Sequence, residues 1–160
     1  MGRIRTLVRT IAVSTALGLL FASGAWAQDG APLVVVTDVV AGHENNTAEL
    51  TCVATSRFLH EQQIVWRTKV IDPQTGESMA DDALASVEVV MPDGQRFAMG
   101  YGPHPRNEPV DAYWTVDWII PAGYPSGVLN YTVEVSANDG RTGQLVMFPI
   151  ESSMLTILPD

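Results

Sequence analysis

Cysteine is nearly absent: Cys52 is the single one in 160 residues. No internal disulfide can form, so a fold stapled by cystines is excluded. Histidine is sparse too. His43, His60 and His104 stand in no H-x-H or H-E-x-x-H arrangement, so a zinc-hydrolase signature is missing. No D-x-D-x-D-G calcium loop occurs, and Ser126, Ser152 and Ser153 lack a G-x-S-x-G context. Glu44, Glu61 and Glu108 are scattered, and nothing pairs them as an acid and a base. Beyond residue 27, no apolar run reaches the ~20 residues that a membrane-spanning helix needs. Positive charge is scarce, with 9 Lys and Arg against 18 Asp and Glu. A basic face for nucleic acid or anionic lipid is therefore not expected. Internal repeats and low-complexity tracts are also lacking.

What is present begins with a leader. Arg3, Arg5 and Arg9 precede an apolar stretch over residues 11–21, which closes on Ala25-Trp26-Ala27. Charge, short apolar core and a small-x-small site, in that order, predict a signal peptide over residues 1–27. The apolar core is too short for an anchor helix. No twin-arginine pair precedes it and no lipid-anchor cysteine follows, so a general export route to the periplasm or medium is expected. Cleavage removes three of the nine basic residues, leaving six against 18 acidic ones and a charge near −12. Such a chain suits a basic partner or a cation. The remaining residues, 28–160, have the length of one domain. Cys52, flanked by Leu50, Thr51, Val53 and Ala54, is expected as a buried thiol packed like a small hydrophobe.

After a short flexible lead over residues 28–32, the chain alternates apolar and polar residues in short runs, the pattern of strands. The runs fall at residues 33–40, 64–71, 87–91, 114–120, 129–135, 145–150 and 154–158. Trp114, Val116, Trp118 and Ile120 share one face, with Thr115 and Asp117 on the other. Asp72 to Gly76, Pro92-Asp93-Gly94 and Asn138-Asp139-Gly140 are turn sequences. Residues 121–127 read as a longer loop, and only residues 80–85 hint at a helical turn. Strands at this spacing, punctuated by turns, predict an all-β sandwich or barrel.

The segments Trp66 to Glu77 and Gly127 to Val135, the latter running on to Asn138-Asp139-Gly140, resemble a strand and turn that recur in bacterial immunoglobulin-like and macroglobulin-type modules. The resemblance implies a single immunoglobulin-like antiparallel β-sandwich of about seven to nine strands, and it implies no chemistry. The second cysteine of antibody-type domains is missing: Cys52 and Trp66 are present without it.

Two readings of a site follow. Tyr101, His104, Tyr113 and Tyr124 lie in or beside Gly- and Pro-rich segments over residues 101–113 and 121–127. Loop aromatics of this kind make contact surfaces. The expected function is thus a non-catalytic accessory module that binds another exported protein. The alternative is copper handling, since imidazole with soft sulfur suits that metal. His104 and Met99 would be its ligands, with His43 or Cys52 completing the set. The ligand spacing of a cupredoxin is absent, because residues 143–160 hold Met147 and Met154 but no histidine. Arg67 and Lys69 share one strand face and are expected in solvent or paired with Glu88. The exported protein is expected to begin at Gln28; an intact mass that retains residues 1–27 would contradict the export reading.

Overall fold

In the computed structural model, the residues described are 30–46, 51–104, 111–147, 150 and 154–159. The leader, Ser152 and Ser153 lie outside them. Among the described residues the chain forms eleven strands and no helix.

The pattern begins with β3 (Gln63–Ile71), where every second side chain is buried. Ile64, Trp66, Thr68 and Val70 point inward and are fully covered, while Gln63, Val65, Arg67 and Lys69 point out. Its two neighbours obey the same parity. β1 (Val34–Ala41) pairs antiparallel with β3, setting Val39 opposite Trp66 and Thr37 opposite Thr68. The Thr37 and Thr68 hydroxyls share a hydrogen bond of 2.8 Å, which satisfies the buried Thr68 side chain. On the other side β7 (Asp111–Ile119) sets Trp118 opposite Ile64 and Trp114 opposite Thr68. β6 (Gly100–His104) adds outside β7 and completes a sheet of order β1-β3-β7-β6.

The second sheet has the order β10-β9-β4-β5, all antiparallel. Its strands are β4 (Leu84–Val90), β5 (Arg96–Ala98), β9 (Thr132–Ala137) and β10 (Thr142–Gln144). Val87 and Val89 face Val135 and Val133 across the inner surface. Residues from both sheets form one buried cluster. Aromatic rings bridge it. Trp66 meets Tyr131 edge-on at 5.5 Å, and Trp118 lies 6.3 Å from both Trp66 and Phe97. Burial pushes the Tyr131 hydroxyl up to about 12.

Both flanks of this pair of sheets are tied. The backbone N–H of Leu33 donates to Thr142 O at 2.9 Å, joining the start of β1 to β10. At the opposite flank Met99 carries the chain from β5 to β6, buried, with its N–H bonded to Val87 O at 2.9 Å. A third, small sheet sets β11 (Thr156–Ile157) between β2 (Arg57–Phe58) and β8 (Gly127–Val128), parallel to β2 and antiparallel to β8.

The three expected turns share one device. Asp72, Asp93 and Asp139 each accept from the backbone N–H two residues on, at 2.8, 2.9 and 3.0 Å. Gly76, Gly94 and Gly140 take the left-handed conformation beside them. Arg141 then staples two of these turns, donating to Asp139 at 2.7 Å and to Asp72 at 2.9 Å. The Arg141 side chain holds the Asp72 carboxyl below its ordinary value of 3.8, and the Arg141 backbone N–H and guanidinium do the same for Asp139.

Four expectations change. Residues 81–83 form a turn before β4, not a helical turn. The run over residues 129–135 is broken, because the Leu129 N–H turns to Leu155 O at 2.8 Å before β9 begins. Residues 145–147 lie beyond β10 and form no strand. The segment around residues 100–104, expected as a loop, is β6. Its proline is tolerated because β6 is an edge strand, where one missing donor breaks no ladder.

Trp66→Ala removes the largest fully buried side chain and is expected to destabilise the fold by about 3–5 kcal/mol, read by chemical denaturation. Because the Asp72 and Asp139 carboxyls are lowered in the folded state, their contribution is present above 3.8 and fades as the pH falls through the lowered values. Arg141→Gln should therefore melt below wild type at neutral pH, with the gap closing in strong acid.

A candidate contact site on the outer face of the first sheet

The same parity that buries Trp66 decides what the first sheet shows to solvent. Register places Asp38, Arg67, Thr115 and Gly100 in one row across the four strands. The next row carries Val36, Lys69 and Gly102, with Tyr113 between the last two. Val65 and Asp117 continue a third row whose β1 member, Val40, is buried, and His104 stands opposite Asp111.

Tyr113 is the hub of the middle row. The Lys69 ammonium sits 4.6 Å from its ring centroid and the Arg67 guanidinium 5.8 Å away. His104 meets the ring edge-on at 6.2 Å. Each cation is also ion-paired. Arg67 clasps Asp38 with two donors, Nε at 2.9 Å from Oδ1 and Nη2 on Oδ2. The Asp38 hydrogen bond raises the Arg67 guanidinium above its usual range. Lys69 Nζ lies 2.7 Å from Asp111, whose carboxyl it pulls down. Glu88, the partner expected for these cations, is in the other sheet. There Glu88 and Glu134 stand directly opposite one another, and Arg96 bridges them. Without that cation two like charges would face each other.

The ion pairs of the outer face are layered. The Arg67 and Lys69 side chains are only 21 and 23% exposed, whereas Asp38 and Asp111 are 49 and 50% exposed. In each pair the carboxylate is the more exposed partner, so negative charge is the better presented to solvent. Asp117 extends this. It is exposed, accepts from Gln63 Nε2 at 2.9 Å, and has no cationic partner among the described residues.

A trough of about 1000 Å³ crosses this face. Val65, Thr115 and Asp117 lie in it, His43 and Cys52 stand at the β1 side, and Gly100 to His104 line the β6 side. Its β6 floor is bare at two outward positions, with His104 beyond them: a Cβ placed on Gly100 or Gly102 would meet nothing within 4 Å. A smaller recess of about 450 Å³ opens elsewhere, between Val39, Tyr131 and Leu155.

The residues singled out from sequence divide between two faces. Tyr113 and His104 are neighbours on the outer face. Tyr101 pairs with Trp114 in register, so it points inward and packs on that ring at 5.2 Å. Tyr124 leans on Trp118 at 5.0 Å, at the end of the core, and its carbonyl bonds His60 Nε2 at 2.8 Å. Burial raises its hydroxyl. Of the four residues considered for copper, His43, Cys52 and His104 line the trough while Met99 is buried in the core. Among the described residues no three His, Cys, Asp or Glu side chains are close enough together to hold a metal ion.

Cys52 is exposed, contrary to the expectation of a core thiol. Its φ of 61° breaks the alternation that would have hidden it. Residues 51–55 instead brace the end of β1, with the Cys52 N–H on Ala41 O at 2.8 Å and the Ala41 N–H on Val53 O at 3.1 Å. Of the residues that shape the trough, Gly102 falls within the expected contact segment 101–113, while Gly100 and Asp117 lie outside the expected site residues. Their signal was two glycines at a spacing of two, beside a strand whose outward positions already included Asp117.

Comparison with known protein families, curated proteins and solved structures finds no match for this chain.

Proposed function

We propose that this chain is an exported, non-catalytic binding module, built as an immunoglobulin-like β-sandwich, that engages another exported protein through the trough on its first sheet. The leader over residues 1–27 supports export to the periplasm or medium. Two four-stranded antiparallel sheets around one aromatic core support the sandwich, with the third sheet as an addition at one end.

The observation that carries the binding reading is the bare floor at Gly100 and Gly102. Two glycines on one face of a strand forfeit packing and conformational stability. Their use is to let another backbone approach the sheet closely. The trough is broad and open, and its charged neighbours Arg67 and Lys69 are committed to carboxylates. That suits adhesion over a surface better than proton transfer at a point.

Gly102→Ile tests this. The added side chain projects into open space and favours a strand, so the melting temperature should hold within a few degrees. Wild type immobilised and exposed to the exported fraction should retain a partner that Gly102→Ile loses. Equal retention by both, or a partner-free wild type, would count against the trough as a contact site.

A further inference from the structure

The chemistry of the trough points to the kind of segment that fills it. Resting on the binding-module reading, we infer that the partner presents an extended segment bearing lysine or arginine. Its backbone lies over Gly100 and Gly102, and its cationic side chain is received by Asp117.

Three observations converge. At the outward β6 positions Gly100 and Gly102 a Cβ would have open space, so a chain can lie flat over these two residues. The carboxylates of Asp38 and Asp111 are more exposed than the cations they pair with, so the face beside the trough offers negative charge to an arriving segment. Asp117 then supplies an acceptor inside the trough. Its one hydrogen bond comes from an uncharged donor, Gln63, and leaves the carboxylate's charge uncompensated by any described cation. A basic side chain supplies that compensation, whereas an acidic one would meet the Asp117 carboxylate. The charge of the whole chain acts in the same direction, with 18 acidic residues against 9 basic ones drawing a cationic segment in from a distance. A sugar is the weaker fit, because the Tyr113 ring it would stack on already carries Lys69 at 4.6 Å.

The test uses the full exported chain and fluorescein-labelled peptides of alternating lysine and serine, with glutamine and glutamate versions as controls. Anisotropy should show the lysine peptide binding, the glutamine peptide binding weakly and the glutamate peptide not at all. Asp117→Asn should weaken the lysine peptide about fivefold, the scale of one partly exposed ion pair. Asp81→Asn, which removes the same charge from the exposed turn before β4, should leave it unchanged. Gly102→Ile should abolish binding. Cys52, the single thiol and part of the trough wall, should react more slowly with a maleimide when the lysine peptide is bound.

Equal losses in Asp117→Asn and Asp81→Asn would reveal general charge attraction and overturn the assignment. So would tight binding of the glutamate peptide. If no lysine peptide binds but Gly102→Ile still loses the captured partner, the trough stands as a contact site and its basic occupant falls. If Gly102→Ile loses no partner, the binding-module reading falls as well.

Discussion

Slide β3 by one residue against its neighbours, and Arg67 and Lys69 would enter the core while Trp66 and Val70 met water. Because side chains alternate strictly along a strand, register is all-or-none here. Burying two cations in an apolar interior is far more unfavourable than leaving them at the surface. The inner row fixes the register from one side through Trp66, which touches Trp118 in its own sheet and Tyr131 across the core. The outer row fixes it from the other side through the pairs to Asp38 and Asp111. The trough exists because both faces of β3 agree.

Charge is handled differently in the two sheets. On the first, cations are less exposed than their carboxylates and lie against an aromatic ring, so pairing is combined with packing of their aliphatic stems. On the second, a single arginine holds apart two glutamates that the register sets face to face. At the turns, one arginine gathers two aspartates from distant hairpins. A chain with twice as many acidic as basic residues thus places four of its cations where each offsets a specific local repulsion or ties separate segments.

Much of the architecture was legible in the sequence. The runs over residues 33–40, 64–71 and 114–120 carry both the period and the β-branched residues of strands, and they became β1, β3 and β7. The three Asp-Gly turns were equally readable, because their geometry depends on local hydrogen bonds. What was hidden depended on distant partners. β6 is written in glycine and proline, so only its pairing with β7 makes it a strand. That pairing separates Tyr101 from Tyr113: Tyr101 opposes Trp114, so the two tyrosines point to opposite faces. The exposure of Cys52 has a related cause. Its neighbours are apolar, but a single left-handed residue turned the segment out of the core, and no composition reveals a φ angle. The trough was invisible because its decisive feature is the lack of side chains.

The parallel pairing of β11 with β2 has a temporal meaning. Polypeptides are made from the N-terminal end. Arg57 and Phe58 must wait for Thr156 and Ile157, and Gly127 and Val128 wait for the same two residues. Until then β2 and β8 are strands without a neighbour in their own sheet, and the loop that must close between β2 and β11 spans most of the domain. Such distant closure is slow compared with a hairpin. That small sheet and the Leu33–Thr142 tie thus close the two longest loops described, which gives the fold a high contact order.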